Sequence, residues 1–156
     1  SSKENQIRNF EFHINVAEEL NKPLIIHCRD SFSDVFDILS RRDSNNPIIL
    51  HSWTGGNKWT KRFTELGVYF SISGIVTYDT AHDLQAAVTK IPRDKLLLET
   101  DVPYLAPQPF KGKRNNPTYI KYTGAKVAEL LNLTPRELSN ITITNTNNVL
   151  NRESNE

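Results

Sequence analysis

Three apolar runs in the 156-residue chain end in side chains able to bind a metal: LIIH at His27, IILH at His51 and LLLETD at Asp101. Runs this apolar do not acquire polar ends by composition alone. Two neutral imidazoles and one carboxylate suit a divalent ion such as Mg²⁺, Mn²⁺ or Zn²⁺. Taken singly, each His is more simply a hydrogen-bonded strand-end residue; the threefold recurrence is what points to a shared site. Glu99 lies two residues before Asp101, so in an extended segment both carboxylates leave the same face. One then binds metal or takes a proton while the other orients a neighbouring group, the role expected of Glu99.

Around these residues stand groups suited to a polyanion. Arg29 follows His27 directly and is placed to meet a phosphate; its plainer alternative is a surface ion pair. Asp30 beside it reads as an N-cap for the next helix. Tyr104, Phe110, Lys111, Lys113, Arg114 and Asn115 interleave aromatics, cations and an amide in one Pro-rich loop, a pattern that fits a nucleic-acid backbone and its bases. Trp53, two residues past His51, is placed to stack on a base or to pack in the core. The substrate-side set is therefore Arg29, Trp53, Tyr104, Arg114 and Asn115. Cys28 reads as a small apolar filler, and His13 and His82 as ordinary helix residues. Thr54-Gly55-Gly56-Asn57 lacks the Lys-Ser/Thr of a phosphate loop and reads as a strand-to-helix turn.

The elements that must hold these residues alternate between two hydrophobic periods. Ile7, Phe10, Ile14, Ala17 and Leu20 predict an amphipathic helix over 5–21, stopped by Pro23. Leu24-Ile25-Ile26, Pro47–Leu50, Val68–Ile72 and Leu96–Leu98 read as short buried strands. Helices marked by Phe32–Leu39, Trp59–Leu66 and Leu84–Ile91 lie between them, and Gly67 ends the second. Wholly apolar strands alternating with amphipathic helices are what a parallel sheet requires, because both its faces are covered. In such a sheet the carboxyl ends of the strands share one side, so His27, His51 and Asp101 converge there. The segment 101–117 reads as a long irregular loop. Two helices follow; Thr134-Pro135-Arg136-Glu137 opens the second as a capping box with Pro at the first helical position. The polar tail 151–156 is expected to fray.

Composition narrows the class. The formal charge of +1 excludes a strongly basic nucleic-acid module but leaves room for one local phosphate-binding patch. A single Cys excludes a disulfide framework and a cysteine-paired zinc site. No apolar run approaches the ~20 residues of a membrane span, and SSKENQIRNF carries no signal-peptide core. The expectation is one cytoplasmic α/β domain over 1–156 with no membrane partner.

PLIIHCRDSF, the His51 strand with its aromatic and Gly turn, YFSISGIVTY and above all LLLETDVPYLAPQPFKGKRNNP resemble the TatD family of metal-dependent deoxyribonucleases, which are amidohydrolase-like TIM barrels. The likeness runs from Gln6–Phe10 to Asn147–Leu150, and ETD-x-PYL-AP is its most specific part. HSWTGG at 51–56 departs from the Cys-Phe-Ser-Gly more usual there. The resemblance implies that His27 and His51 bind one metal and that Asp101 binds the other and activates the attacking water. It also implies DNA as substrate. The family's His-x-His strand and its metal-bridging Glu strand have no counterpart: His13 has no His at 11 or 15. The chain is thus similar to strands five to eight of an eight-stranded barrel, N-terminally truncated. Two other readings stay open, a catalytically silent fragment and an amidohydrolase-like enzyme acting on an amide or lactone. Four strands cannot close a barrel, so self-association through the exposed half-barrel edges is expected.

Overall fold

The computed structural model of the chain describes residues 1–150. Among these residues, four strands form one parallel sheet: β1 (Leu24–His27), β2 (Ile48–His51), β3 (Tyr69–Ile72) and β4 (Leu96–Leu98), in that spatial order. Helix α1 (Lys3–Glu19) precedes the sheet. Helices α2 (Phe32–Leu39), α3 (Asn57–Glu65) and α4 (His82–Val88) link successive strands, and α5 (Ile120–Leu130) and α6 (Pro135–Leu150) follow β4. The α/β alternation expected from the hydrophobic pattern is the observed one.

Local signals account for most boundaries. Ser2 Oγ accepts from the Asn5 amide at 3.2 Å and opens α1. The chain turns after α3 at Gly67, and Asn21 and Asn132 take the left-handed stop positions after α1 and α5, with φ of 49° and 51°. The Thr134 amide donates to Glu137 Oε2 at 2.7 Å while the Glu137 amide donates to Thr134 Oγ1 at 3.2 Å, the reciprocal box expected at α6. Leu20 departs from expectation: α1 ends before it, and it is exposed. A 3-10 turn at Gly74–Thr77, unanticipated in the sequence, follows β3. Ser31, not Asp30, holds the N-cap position of α2.

The two sheet faces differ. Ile26, Leu50, Phe70, Ile72 and Leu96 point into the main core beneath the helices. By register, Ile25, His27, Ile49, His51, Tyr69, Ser71 and Leu97 occupy the other face. There Val149 of α6 packs on Ile49, Leu97 and Tyr69, while Ile25 stays 64% exposed. The outer edges of β1 and β4 pair with no strand among the described residues. Asn145 of α6 donates to the Leu96 carbonyl at 2.8 Å and to the Arg93 carbonyl at 2.7 Å. The loop 101–117 contains no helix or strand until a 3-10 turn at Pro117–Tyr119, and Val102–Pro103 and Gln108–Pro109 are cis. No helix among the described residues is long and apolar enough to cross a membrane. The expected frayed tail lies outside the described residues.

Candidate metal centre

The site is built on the β1–β2 register. His27 pairs with His51 across the ladder. Neighbouring strands lie about 4.8 Å apart, so the imidazoles stand side by side, ring centroids 5.6 Å apart and planes tilted by 45°. β3 supplies no ligand at this level; Ser73 follows it, and its hydroxyl meets that of Ser52 at 2.9 Å in a buried pair. Beyond β4, Glu99 extends the ladder by donating its amide to the Ile72 carbonyl at 3.0 Å.

The two carboxylates then take opposite sides of one ring. Glu99 Oε1 lies 2.7 Å from His51 Nδ1, and Asp101 Oδ1 lies 3.8 Å from His51 Nε2. This is not the same-face projection of an extended segment. Asp101 has φ of 57°, which turns its side chain back toward His51. His51, Glu99 and Asp101 offer donor atoms that all lie within 4.8 Å of one another. His27 stands beside this group on the exposed edge of the sheet, outside the compact set. The structure thus draws Glu99 in more tightly than the sequence reading did.

The residues fit a divalent cation. Glu99 Oε1 is shielded from solvent, and the 2.7 Å contact with His51 runs off the hydrogen-bond direction, so this oxygen has no hydrogen-bond partner. A buried anionic oxygen without a donor is costly unless positive charge meets it. A divalent cation within the compact set of His51, Glu99 and Asp101 would bring positive charge close to that oxygen. His51 Nε2, Asp101 and the adjacent His27 would hold the ion; nitrogen and carboxylate donors admit Zn²⁺, Mn²⁺ or Mg²⁺.

The other expected site residues scatter. An open cavity of about 660 Å³ lies at this rim, lined among others by His27, Arg29, Tyr78, Asp101 and Tyr104. The Arg29 side chain is 78% exposed and only 3.8 Å-paired with Asp30; Tyr104 is 69% exposed. Arg114 is exposed on the loop. Trp53 does not reach the cavity. It is 1% exposed, its indole N–H donates to Thr60 Oγ1 at 2.9 Å, and Phe32, Phe63 and Phe70 ring it edge-on. A base cannot stack on it. Asn115 is likewise buried, with its amide spent on backbone carbonyls of the loop itself. Cys28 is buried, and that burial pushes its thiol up to about 11, which leaves it a protonated filler. Sequence reasoning did not single out Tyr78, the last residue of YFSISGIVTY, whose hydroxyl donates to the Ala106 carbonyl at 3.0 Å.

The chain is similar to known proteins in sequence and in fold. The TatD related DNase family profile matches residues 1–151. The chain is 40% identical over 146 residues to the uncharacterized metal-dependent hydrolase YabD of Bacillus subtilis, covering 93% of this chain and 57% of that protein. It is 38% identical to the uncharacterized metal-dependent hydrolase TatD of Mycobacterium tuberculosis, covering 87% of this chain and 52% of that one. The chain therefore spans about half the length of these relatives. Its fold superposes on the crystal structure of YjjV, a TatD homolog from Escherichia coli K12, with a TM-score of 0.85 and 25% identity, covering 97% of this chain and 60% of that one. With that match across nearly its whole length, and with the strand-end imidazoles and carboxylates in place, the chain belongs to the TatD-related family of metal-dependent hydrolases.

Proposed function

We propose that the chain supplies the metal-binding rim of a DNA phosphodiesterase and represents strands five to eight of an eight-stranded barrel. The observation that carries this reading is His51 flanked on its two nitrogens by Glu99 and Asp101, with His27 alongside. The open four-stranded parallel sheet and the partial coverage of the relatives support the half-barrel assignment. A divalent ion held by His51, Asp101 and the adjacent His27 would supply Lewis acidity toward a phosphoryl oxygen and favour deprotonation of the attacking water. His27 and His51 hold their place on paired strands. Asp101, on the cavity side of the ring, accepts the proton of the attacking water through its carboxylate. Glu99 keeps the His51 ring oriented from behind.

Phosphate is favoured over a neutral amide or lactone by one cation of the cavity wall and a second beside a wall residue. Arg29 forms part of its wall, and Lys111 lies 4.4 Å over the Tyr78 ring on the same rim. Tyr104 presents an exposed ring for a base. Among the described residues the site gathers enough donors for one ion but not for the pair, ≈ 3.5–4 Å apart, of a two-metal site. The test is a chimera joining this chain to the portion of YabD outside the matched segment. With Mn²⁺ it should cleave DNA, and Asp101→Asn should abolish cleavage; the 156-residue chain should cleave little. A folded, Mn²⁺-binding chimera that hydrolyses amides or lactones and leaves DNA intact overturns the DNA reading.

A further inference from the structure

We propose that Asn115 is the positioning residue for Asp101, holding the metal-site carboxylate in place through the backbone on either side of it. The assignment rests on reading Asp101 as part of the metal site. Sequence pattern placed Asn115 among the substrate contacts, yet it is 7% exposed and both of its side-chain amide hydrogens go to backbone carbonyls.

The geometry is specific. One amide, Asn115 Nδ2, donates to the Thr100 carbonyl and to the Tyr104 carbonyl, both at 2.6 Å. These carbonyls bracket Asp101. The Asn115 backbone amide adds a bond to the Pro103 carbonyl at 3.0 Å, and its Oδ1 accepts from the Asn116 amide at 2.8 Å. Within the bracket the Tyr104 amide donates to the Asp101 carbonyl at 2.8 Å. Asp101 itself sits at φ 57°, a left-handed conformation that a non-glycine residue keeps only when its surroundings over-determine it. Asn115 supplies much of that determination. Without it, the segment between Thr100 and Tyr104 is free to return Asp101 to an ordinary φ, which swings its carboxylate away from His51 Nε2.

The far side of the loop is fixed independently. Tyr78 Oη donates to the Ala106 carbonyl at 3.0 Å, and the Gln108 amide donates to Thr77 Oγ1 at 2.8 Å. Gly74 admits this approach because a Cβ there would meet the Leu105 carbonyl oxygen closer than 3.0 Å. Residues 105–108 therefore lean on the turn after β3, while 100–104 depend on Asn115. The division makes a local test possible.

Mn²⁺ affinity of the full chain, measured by isothermal titration calorimetry, reads the proposal without any turnover. Asn115→Ala should lower affinity 10–100-fold, the usual loss when the partner that orients a ligand is removed. Asn115→Asp, the same size but without the amide donors, should do the same. In an Asp101→Asn background, Asn115→Ala should change affinity less than twofold further, because the group it positions is gone. Thr134→Ala, which loosens the start of α6, should leave affinity unaltered, separating positioning from general destabilisation. Unaltered affinity in a folded Asn115 variant overturns the proposal, as do losses that multiply in the double variant or a failure of both Asn115 variants to fold. No Mn²⁺ binding by the unaltered chain overturns the metal reading itself, and this assignment with it.

Discussion

Trp53 stands two residues beyond His51 and is committed to the interior by Gly55. A Cβ built on Gly55 would fall closer than 3.0 Å to the indole carbons, whereas one on Gly56 meets nothing within 4 Å. The neighbouring glycines should therefore respond by different amounts to the same change. Gly55→Ala must displace a fully buried ring from its contacts with Phe63 and Phe70 and from its bond to Thr60. Trp53→Ala, which empties the same site, is expected to cost about 3–5 kcal/mol. Urea unfolding at neutral pH should show Gly55→Ala losing more than 1 kcal/mol, an overpacking-sized effect of about 1–3 kcal/mol. Gly56→Ala should stay within about 0.5 kcal/mol. Equal midpoints for the two variants would refute the close-approach account. The functional consequence is that this aromatic serves the rim by anchoring the β2–α3 turn that carries Ser52 and follows His51.

At the scale of the element, the start of α6 shows a charge acting where the backbone lacks partners. The Thr134 amide and hydroxyl both donate to Glu137 Oε2, at 2.7 and 2.8 Å. Those bonds favour the ionised carboxyl and hold Glu137 below its ordinary 4.5. A group whose folded pKa is depressed contributes stability above its unfolded pKa and loses it as pH falls through the folded one. The cap should therefore be intact at neutral pH and fail on the acid side of 4.5. Glu137→Gln should remove that acid-limb dependence, while Thr134→Ala should cost about 1 kcal/mol at neutral pH. The measurement is the urea midpoint followed from neutral pH into the acid range. An acid limb of the same slope in Glu137→Gln would show that other carboxylates set it. The cap ties the start of a helix that carries Asn145 to the Leu96 carbonyl and Val149 to Leu97, both in β4, so its loss is read in stability and not at the metal site.

For the whole molecule, the sheet sets the constraint. Four strands leave two outer edges, and about eight are needed before side chains fill a closed barrel. α6 mitigates the β4 side, where Asn145 caps one edge carbonyl and Val149 covers part of the ligand-bearing face. The β1 side has no such cover: Ile25 is 64% exposed beside His27. Exposed apolar strand edges promote pairing with another chain. Light scattering after size exclusion should therefore give a mass above the 17.8 kDa of a single chain. A cooperatively unfolding monomer of 17.8 kDa would contradict this.

The residue types of the site and the strands that bear them were legible before any coordinate. An apolar run of three or four residues, repeated between amphipathic helices, specifies a buried parallel strand through burial alone, and the His or Asp at its end marks where a polar group sits. The α6 capping box was legible for the same reason, since its bonds join residues three apart. Tertiary structure decided the rest. It placed Glu99 and Asp101 on opposite nitrogens of His51, turned Trp53 inward, and took Asn115 from the surface to the loop interior. The physical reason lies just past the strands, where Asp30, Ser52 and Asp101 adopt φ of 56°, 45° and 57°. None is glycine, so nothing in the sequence marks these reversals. At Ser52 and Asp101 they persist because hydrogen bonds from residues distant in sequence hold the chain there, and those contacts exist only once it has folded.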